Sequence, residues 1–251
     1  MINLHNHSTW SDGRYPPEQL IELAVRGGLT HIGISDHFFT LKLADVRTFV
    51  DMDRLGAYVR EIRALAGRFA GKIGVLVGLE VDWSPRVYPQ LEALLSQINQ
   101  LDYVLFEYVD DRTWYGDSLE HLLSIRPLIG IPVGLAHNKL DRNFASIYPV
   151  NELAMLLAQH DMFVELSTCP QYANYGDQDA YSARLWQALQ QNGIRFSIGS
   201  DTHHAAAEVV DVQEAHLFLQ KRGLADRLIT RDWDTTRQMW SSRAQPTGVV
   251  R

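Results

Sequence analysis

The stretch Ile2-Asn3-Leu4-His5-Asn6-His7 is a short apolar run that ends in two histidines one residue apart. Residues i and i+2 of a β-strand point to the same face, so both imidazoles are placed to reach one metal ion. A surface histidine pair with no ligand role is the simpler alternative, and the motifs further along the chain weigh against it. The stretch therefore predicts a strand with a metal-binding end.

The same arrangement recurs along the chain, because titratable residues follow several other apolar, strand-like runs. They stand in Ser11-Asp12-Gly13, Ser35-Asp36-His37, Gly78-Leu79-Glu80, Ala136-His137 and Ser200-Asp201-Thr202-His203. In α/β barrels the functional side chains gather at the C-terminal ends of the strands. We therefore expect these residues to meet at one end of a barrel.

Strand-like runs alternate with helical patterns over most of the chain. Strands are predicted at residues 2–5, 31–35, 73–79, 103–108, 132–136, 163–166 and 196–198. Helices are predicted at 17–26, 52–69, 90–98, 118–124, 150–159, 180–191 and 212–221. Such alternation indicates a parallel sheet with crossover helices, and the uniform composition favours one closed (β/α) barrel over two domains.

We expect residues 1–251 to form this single barrel domain. The interval between the second strand and its helix, residues 38–49, is long enough to form a rim or lid. A loose C-terminal tail is expected from about residue 241. With 251 residues, 46% of them hydrophobic, the chain is able to bury a substantial core.

Charge and composition limit the possible partners. The formal net charge of −7 weighs against general nucleic-acid binding, which normally uses a basic face. A small phosphorylated substrate remains compatible with this charge, because bound metal ions supply local positive charge.

Cysteine content and hydropathy indicate the compartment. Cys169 is the single cysteine, so we expect no disulfide framework and a reducing environment. The first residues lack the basic and apolar regions of a signal peptide. No apolar stretch approaches the roughly 18 residues of a membrane span. A cytoplasmic protein without a membrane partner is expected.

The types of side chain at the strand ends define a metal chemistry. Imidazoles together with carboxylates suit Zn, Mn or Fe, whereas Mg and Ca prefer oxygen ligands, and one thiol cannot build a structural zinc site. Carboxylates able to bridge fit a multinuclear hydrolytic centre, with metals about 3.5–4 Å apart and a shared hydroxide. Phosphoester hydrolysis is the natural reaction, and amide or lactone hydrolysis on the same metals stays open.

The segment from His5 to Gly13, followed by Pro17-Glu18-Gln19-Leu20 and Ser35-Asp36-His37, resembles the PHP (polymerase and histidinol phosphatase) family. The resemblance extends from His5 to His203. It implies a distorted (β/α)7 TIM-like barrel with two or three divalent metal ions. It also implies a phosphoric ester hydrolase, which we expect to cleave a small phosphomonoester by attack of a metal-bridging hydroxide.

The resemblance assigns ligands to two of the metal ions. His5, His7 and Asp201 would bind the first metal, and Glu80 would bridge from it to the second. His137 would help to hold that second ion.

A third metal would be held by Asp12, His37 and His203, again by resemblance. Asp201 or an adjacent histidine such as His203 would orient the hydroxide or return a proton to the leaving group. These two residues are the catalytic candidates.

One position departs from the family pattern. The strand at residues 102–109 resembles one that usually ends in Gly-Ser-Val-His, and Val109 stands in place of the histidine. Glu107 has the same strand parity, so a shift of one residue pair would aim its carboxylate into the site as a replacement ligand. Alternatively Glu107 pairs with Arg112 at the rim, and the second metal is weak or absent.

The missing histidine also leaves open a non-catalytic metal-binding module. The eight other ligand positions are retained, which argues against the loss of a catalytic centre. A catalytic centre is therefore the main prediction, with the amide or lactone hydrolase and the binding module as alternatives.

Two acidic residues near the ligands have other expected roles. Asp36 points away from His37 in an extended chain, so a cap or a hydrogen-bond acceptor is expected there rather than a ligand. Glu165 ends a strand, where a role as partner of a ligand histidine or of a substrate group competes with plain structural burial.

Substrate contacts are expected from loop residues that follow the metal motifs. Arg14, Lys139 and Arg142 would neutralise a phosphate, Arg in bidentate fashion and Lys as a point charge, and His204 would contact substrate beside His203. Solvated loop positions are the alternative for each. Seven aromatic residues near the strand ends would stack on a base or sugar, or simply roof the pocket: Trp10, Phe38, Phe39, Trp83, Tyr108, Trp114 and Tyr172.

Overall fold

A computed structural model describes residues 1–38, 40, 52–176, 180–231 and 233 of the chain. Apart from residues 38 and 40, the predicted lid at 38–49 lies outside the described residues. The predicted tail from about residue 241 also lies outside them.

Eight strands are present in these ranges. They are β1 Ile2–Asn3, β2 His31–Ile34, β3 Gly74–Val77, β4 Glu80–Asp82, β5 Val104–Glu107, β6 Val133–Leu135, β7 Met162–Ser167 and β8 Phe196–Gly199. Each of the seven predicted strands is found. The third is interrupted at Gly78 and Leu79 and resumes as β4, where the Gly78 backbone lies against the ring of Tyr103 and leaves no room for a side chain.

The α-helices of the described ranges lie mostly between the strands. They are α1 Pro17–Arg26, α2 Met52–Arg68, α3 Tyr88–Ala93, α4 Leu95–Ile98, α5 Leu119–Ile125, α6 Leu140–Phe144, α7 Val150–Gln159, α8 Ala180–Gln191 and α9 Gln213–Lys221. Prolines at positions 16 and 17 favour the start of α1. In α2, Leu55, Tyr58, Ile62 and Leu65 are buried at spacings of three and four, which is the amphipathic pattern of a helix packed on a sheet.

The structure corrects one helix prediction and adds a short helix. The single helix expected at residues 90–98 is two short helices, α3 and α4, which meet at Leu94. Helix α6 was not expected, because five residues are too few to produce a helical periodicity.

All strand pairs are parallel, in the orders β1-β2-β3 and β4-β5-β6-β7-β8. Backbone hydrogen bonds join the two sets at both junctions. The amide of Glu80 donates to Asp36 O at 3.1 Å, beside β4, and the amide of Leu4 donates to Ile198 O at 2.7 Å. The strands are thus connected around a ring, which is the α/β barrel expected from the sequence.

Polar side chains are buried where apolar ones would be expected at the end of the ring. Leu4 and Leu79 are fully buried, yet their neighbours in sequence, His5 and Glu80, are equally inaccessible. Burial of such groups is costly unless they are paired or bind a metal. Among the described helices, none combines the length and apolarity needed to cross a membrane.

Candidate metal centre

The nine side chains predicted as metal ligands converge at the C-terminal end of the strands. Together with Asp82, which was not predicted, they offer donor atoms in three groups, each with all atoms within 4.8 Å of one another. The groups are His5, Glu80, His137 and Asp201; His7, Asp12, His37 and His203; and His37, Asp82 and Glu107.

The first group centres on Glu80. One of its carboxylate oxygens, Oε1, lies 2.9 Å from Nε2 of His137 and 3.2 Å from Nε2 of His5. Nε2 of His5 is 3.1 Å from Nε2 of His7, which in turn lies 3.2 Å from Oδ1 of Asp201. His5 and His7 therefore face one shared point, as the strand parity predicted.

The second group surrounds Asp12. Its Oδ2 lies 3.2 Å from Nε2 of His203 and 3.6 Å from Nε2 of His37, and its Oδ1 lies 3.5 Å from Nδ1 of His7. His7 thus contacts both groups through its two ring nitrogens. The two groups form one continuous cluster.

Two of the histidines are oriented by oxygen acceptors on the side away from the cluster. Nδ1 of His5 lies 2.9 Å from Oε1 of Glu165, and Nδ1 of His203 lies 2.8 Å from the carbonyl oxygen of Asp201. A carbonyl or carboxylate oxygen accepts, so Nδ1 carries the proton in each ring. In the neutral rings Nε2 then presents its lone pair to the cluster, as a metal ligand must.

Glu165 occupies a position that depends on a glycine. Its second oxygen, Oε2, accepts a hydrogen bond of 2.7 Å from the backbone amide of His137. A Cβ atom at Gly199 would overlap both the Glu165 carboxylate and Cβ of His5. Of the two roles expected for Glu165, the geometry favours the partner of a histidine.

Asp36 holds the loop that carries Asp12. Its carboxylate accepts from the backbone amides and hydroxyls of Ser8 and Ser11, at distances between 2.6 and 3.1 Å. A Cβ atom at Gly13 would overlap the carbonyl of His7, so this tight turn requires glycine. Asp36 is thus an acceptor that fixes the loop, as expected.

Asp201 has a backbone conformation that few residues adopt. Its φ is 55°, in the left-handed region that Asp tolerates better than most residues. Its amide donates to the carbonyl of His5 at 3.0 Å. This turn directly after β8 brings the carboxylate against the histidines of β1, and strained residues of this kind concentrate at functional sites.

The electrostatics of the cluster favour positive charge. Burial lowers the pKa of His7, but hydrogen bonds to Asp201 and Glu80 outweigh it and raise the pKa to about 9. Burial raises the pKa of Asp201, but the hydrogen bond from His7 and the charge of His5 outweigh it and the net shift is downward. Carboxylates that attract cations, interleaved with buried imidazoles, are a donor set that fits Zn, Mn or Fe.

Glu107 points into the cluster and not towards the rim. It is fully buried, with Oε1 at 3.7 Å from Nδ1 of His37 and Oε2 at 3.7 Å from Nε2 of His137. It therefore occupies the neighbourhood expected of a replacement ligand, whereas Val109 is buried in the apolar core.

Asp82 is a candidate that the sequence reasoning missed. It is in register with Glu107 on the neighbouring strand and is buried, and it accepts from Thr40 Oγ1 at 3.1 Å. Glu80 and Asp82 are one residue apart, so they share a strand face. The parity argument applied to His5 and His7 would have identified it.

Two of the predicted substrate-binding residues line a cleft beside the cluster. Lys139 and Arg142 border a cavity of about 170 Å³ that is also lined by His137. Arg14 and His204 are exposed beside His203: the amide of Arg14 donates to the carbonyl of His203 at 2.8 Å, and the rings of His203 and His204 are 5.9 Å apart.

The aromatic prediction was only partly right. Tyr108, Trp114 and Tyr172 line this cleft. Phe38 and Trp83 are instead fully buried in the core. Trp10 packs edge-on against Tyr58, and Phe39 lies outside the described residues, so the prediction for Phe39 stays untested.

A parallel α/β barrel with imidazoles and carboxylates clustered at its strand ends defines the class of metal-dependent barrel hydrolases. The model of the PHP domain family matches residues 3–229. The chain therefore belongs to the PHP domain family.

Two curated relatives share low but extended similarity with the chain. One is the DNA polymerase/3'-5' exonuclease PolX of Bacillus subtilis, 24% identical, in an alignment that covers 96% of this chain and 39% of that protein. The other is a probable histidinol-phosphatase of Deinococcus radiodurans, 24% identical, with 74% of this chain and 80% of that protein covered. The chain thus spans well under half the length of the first relative.

Solved structures share the fold. A histidinol phosphate phosphatase from Lactococcus lactis, complexed with Zn, L-histidinol and phosphate, superposes with a TM-score of 0.62 at 17% identity, covering 88% of this chain and 93% of that one. A structure from a study of YwqE of Bacillus subtilis and CpsB of Streptococcus pneumoniae, metal-dependent tyrosine phosphatases, gives a TM-score of 0.56 at 19% identity, with 97% and 95% covered.

Proposed function

We propose that the chain is a metal-dependent phosphoesterase that hydrolyses a small phosphomonoester. The observation that carries this proposal is the convergence of Nε2 of His5 and Nε2 of His7, 3.1 Å apart, beside the carboxylate of Asp201. Membership of the PHP family supports it. Further support comes from the likeness to a probable histidinol-phosphatase and to a phosphatase complexed with Zn, L-histidinol and phosphate.

In this proposal His5, His7 and Asp201 would bind one ion, His137 would help to hold a second, and Glu80 would contribute to both. The distances of 2.9 and 3.2 Å from Glu80 Oε1 to two different imidazoles suit a bridging carboxylate. Glu107, 3.7 Å from His137, would complete the second set.

A third ion would be held by Asp12, His37 and His203, whose donor atoms converge on Asp12 Oδ2. When bound, two or three ions of Zn, Mn or Fe would acidify water to a pKa near 7 and neutralise charge on the phosphoryl oxygens.

The chain's own residues would manage the proton. The lowered pKa of Asp201 keeps its carboxylate ionised at neutral pH, so Oδ1 is available to orient the attacking water as a hydrogen-bond acceptor. His203 is partly exposed, with Nδ1 held by the Asp201 carbonyl. In a centre of two ions its Nε2 would be free of metal, and it would then return a proton to the leaving oxygen.

Phosphate release from a panel of phosphomonoesters, measured on chelated protein reloaded with Mn or Zn, tests the proposal. We expect metal-dependent release, and the double variant His5→Ala/His7→Ala should abolish both metal loading and turnover. His160→Ala, at the C-terminal end of α7, is the matched control and should retain both. Full activity in the double variant would show that His5 and His7 are not part of the active site. No release with any metal, despite proven metal binding, would favour amide or lactone hydrolysis.

A further inference from the structure

The cleft beside His137 has aromatic walls. Tyr172 stacks on the His137 ring, with centroids 4.4 Å apart and planes inclined by 20°. Tyr108 stacks on Trp114 at 5.3 Å and 21°. Both stacks line the cavity of about 170 Å³, and Trp114 is 47% exposed despite its size. Flat apolar faces are therefore presented next to the proposed metal centre.

The turn that carries Trp114 is built by the sequence and held in place. Tyr108 follows Glu107 directly and has a φ of 60°. The amides of Asp111 and Gly116 donate to the carbonyls of Tyr108 and Asp111, at 3.0 and 2.9 Å. A Cβ atom at Gly116 would overlap the Tyr108 carbonyl, so the turn closes only around a glycine. Trp114 is thus presented by a hydrogen-bonded turn.

Charge in the cleft is the reverse of that on the chain as a whole. Among the described residues that line it, Lys139 and Arg142 are accompanied by one carboxylate, that of Asp111, although the chain carries a formal net charge of −7. Local positive charge next to aromatic faces suits an anionic ester whose organic part is a flat ring.

We propose that this cleft receives the leaving group of the substrate, and that the substrate is an aryl phosphomonoester with a single aromatic ring. The proposal rests on the proposed function, because His137, which borders the cleft, would also help to hold a metal ion. The volume of about 170 Å³ is below the roughly 300 Å³ of pockets for larger ligands, which disfavours a substrate in which a base is joined to a sugar.

Hydrolysis would join the water oxygen to phosphorus and break the bond from phosphorus to the aryl oxygen. The aryl oxygen would take up a proton and leave as a phenol.

Two non-hydrolysable phosphonates test this inference without the influence of leaving-group reactivity. Benzylphosphonate and cyclohexylmethylphosphonate have the same charge and nearly the same size, and differ in the flatness of the ring. Isothermal titration calorimetry on Mn-loaded protein gives the ratio of their dissociation constants. We expect benzylphosphonate to bind about fivefold more tightly, as is typical of one stacking interaction.

Variants locate the source of the preference. Tyr172→Leu and Trp114→Leu should each bring the ratio close to one. Tyr115→Leu is the matched control, because Tyr115 lies on the same turn, is 81% exposed and does not line the cleft. It should preserve the fivefold preference.

The outcomes separate the two proposals. A ratio near one in the unaltered protein, or a ratio that neither cleft variant changes, overturns the aryl inference. Failure of both phosphonates to bind a protein that hydrolyses phosphomonoesters overturns it as well, and leaves the proposed function intact. Failure to bind either phosphonate or to release phosphate from any ester, with any metal, overturns both.

Discussion

Oε1 of Glu165 lies 2.9 Å from Nδ1 of His5, and both side chains are completely buried. The second oxygen of Glu165 accepts from the amide of His137. One carboxylate on β7 therefore positions two proposed ligands on opposite flanks, one after β1 and one after β6. Carboxylate partners of this kind fix the orientation of a ligand imidazole and raise its basicity.

Glu165→Gln should weaken metal binding by about 10- to 100-fold while the fold is retained. The amide keeps the size of the side chain but replaces one acceptor oxygen with a donor, which cannot accept from both His5 Nδ1 and the His137 amide. Competition with a chelator of known affinity measures the effect, and circular dichroism checks the fold.

Glu152→Gln is the matched control, since Glu152 is exposed in the first turn of α7. It should bind metal as the unaltered chain does. Unchanged affinity in Glu165→Gln would show that the contact with His5 has a structural role alone.

Gly199→Ala should destabilise the protein and reduce metal binding together. The added Cβ overlaps the Glu165 carboxylate and Cβ of His5, and overpacking in a dense interior typically costs about 1–3 kcal/mol. Chemical denaturation measures the free energy of unfolding, and chelator competition measures the affinity.

Gly67→Ala gives the opposite expectation at a comparable residue. Gly67 lies in α2, and no atom lies within 4 Å of a Cβ placed there. Alanine favours a helix interior by about 0.5–1 kcal/mol over glycine, so this variant should be neutral or more stable. Equal stability of the two alanine variants would mean that the chain relaxes freely around Gly199.

Much of the site was predictable because it follows strand parity and strand ends. The pair His5 and His7 shares a face by the two-residue period of a strand. His37, His137 and Asp201 each follow shortly after a strand of the same parallel ring. The bounds of α1 and α7 were predicted to the residue, since both begin at prolines and have a clear apolar face.

The remainder depends on contacts between distant segments. Glu165 and His5 are 160 positions apart, and their contact is fixed by the register of β7 against its neighbours and by the space at Gly199. The break between β3 and β4 likewise depends on Tyr103, which approaches Gly78 from another strand. No local pattern contains such information.

Glu107→Ala should lower the metal content by about one ion per chain. The carboxylate lies 3.7 Å from both His37 and His137 and stands near the position of the histidine that this chain lacks. Metal analysis by mass spectrometry after dialysis measures the stoichiometry. Glu120→Ala, at an exposed position in α5, should leave the count unchanged, and an unchanged count in Glu107→Ala would exclude it as a ligand.

His216→Gln should make stability less sensitive to acid. Nε2 of His216, on α9, accepts a hydrogen bond of 2.9 Å from the amide of Ile2 in β1, and burial lowers the pKa of this histidine. The pKa of His216 is therefore lower in the folded chain than in the unfolded chain. Its contribution to stability is complete above the ordinary pKa of about 6.5 and is lost as the pH falls towards the folded pKa, because the unfolded chain binds the proton first.

The glutamine oxygen also accepts from Ile2 but does not titrate. The free energy of unfolding, measured by denaturant titration over a pH range on both sides of about 6.5, should therefore fall less steeply with falling pH in the variant. Parallel pH profiles for the two proteins would contradict a role for this contact in anchoring the first strand.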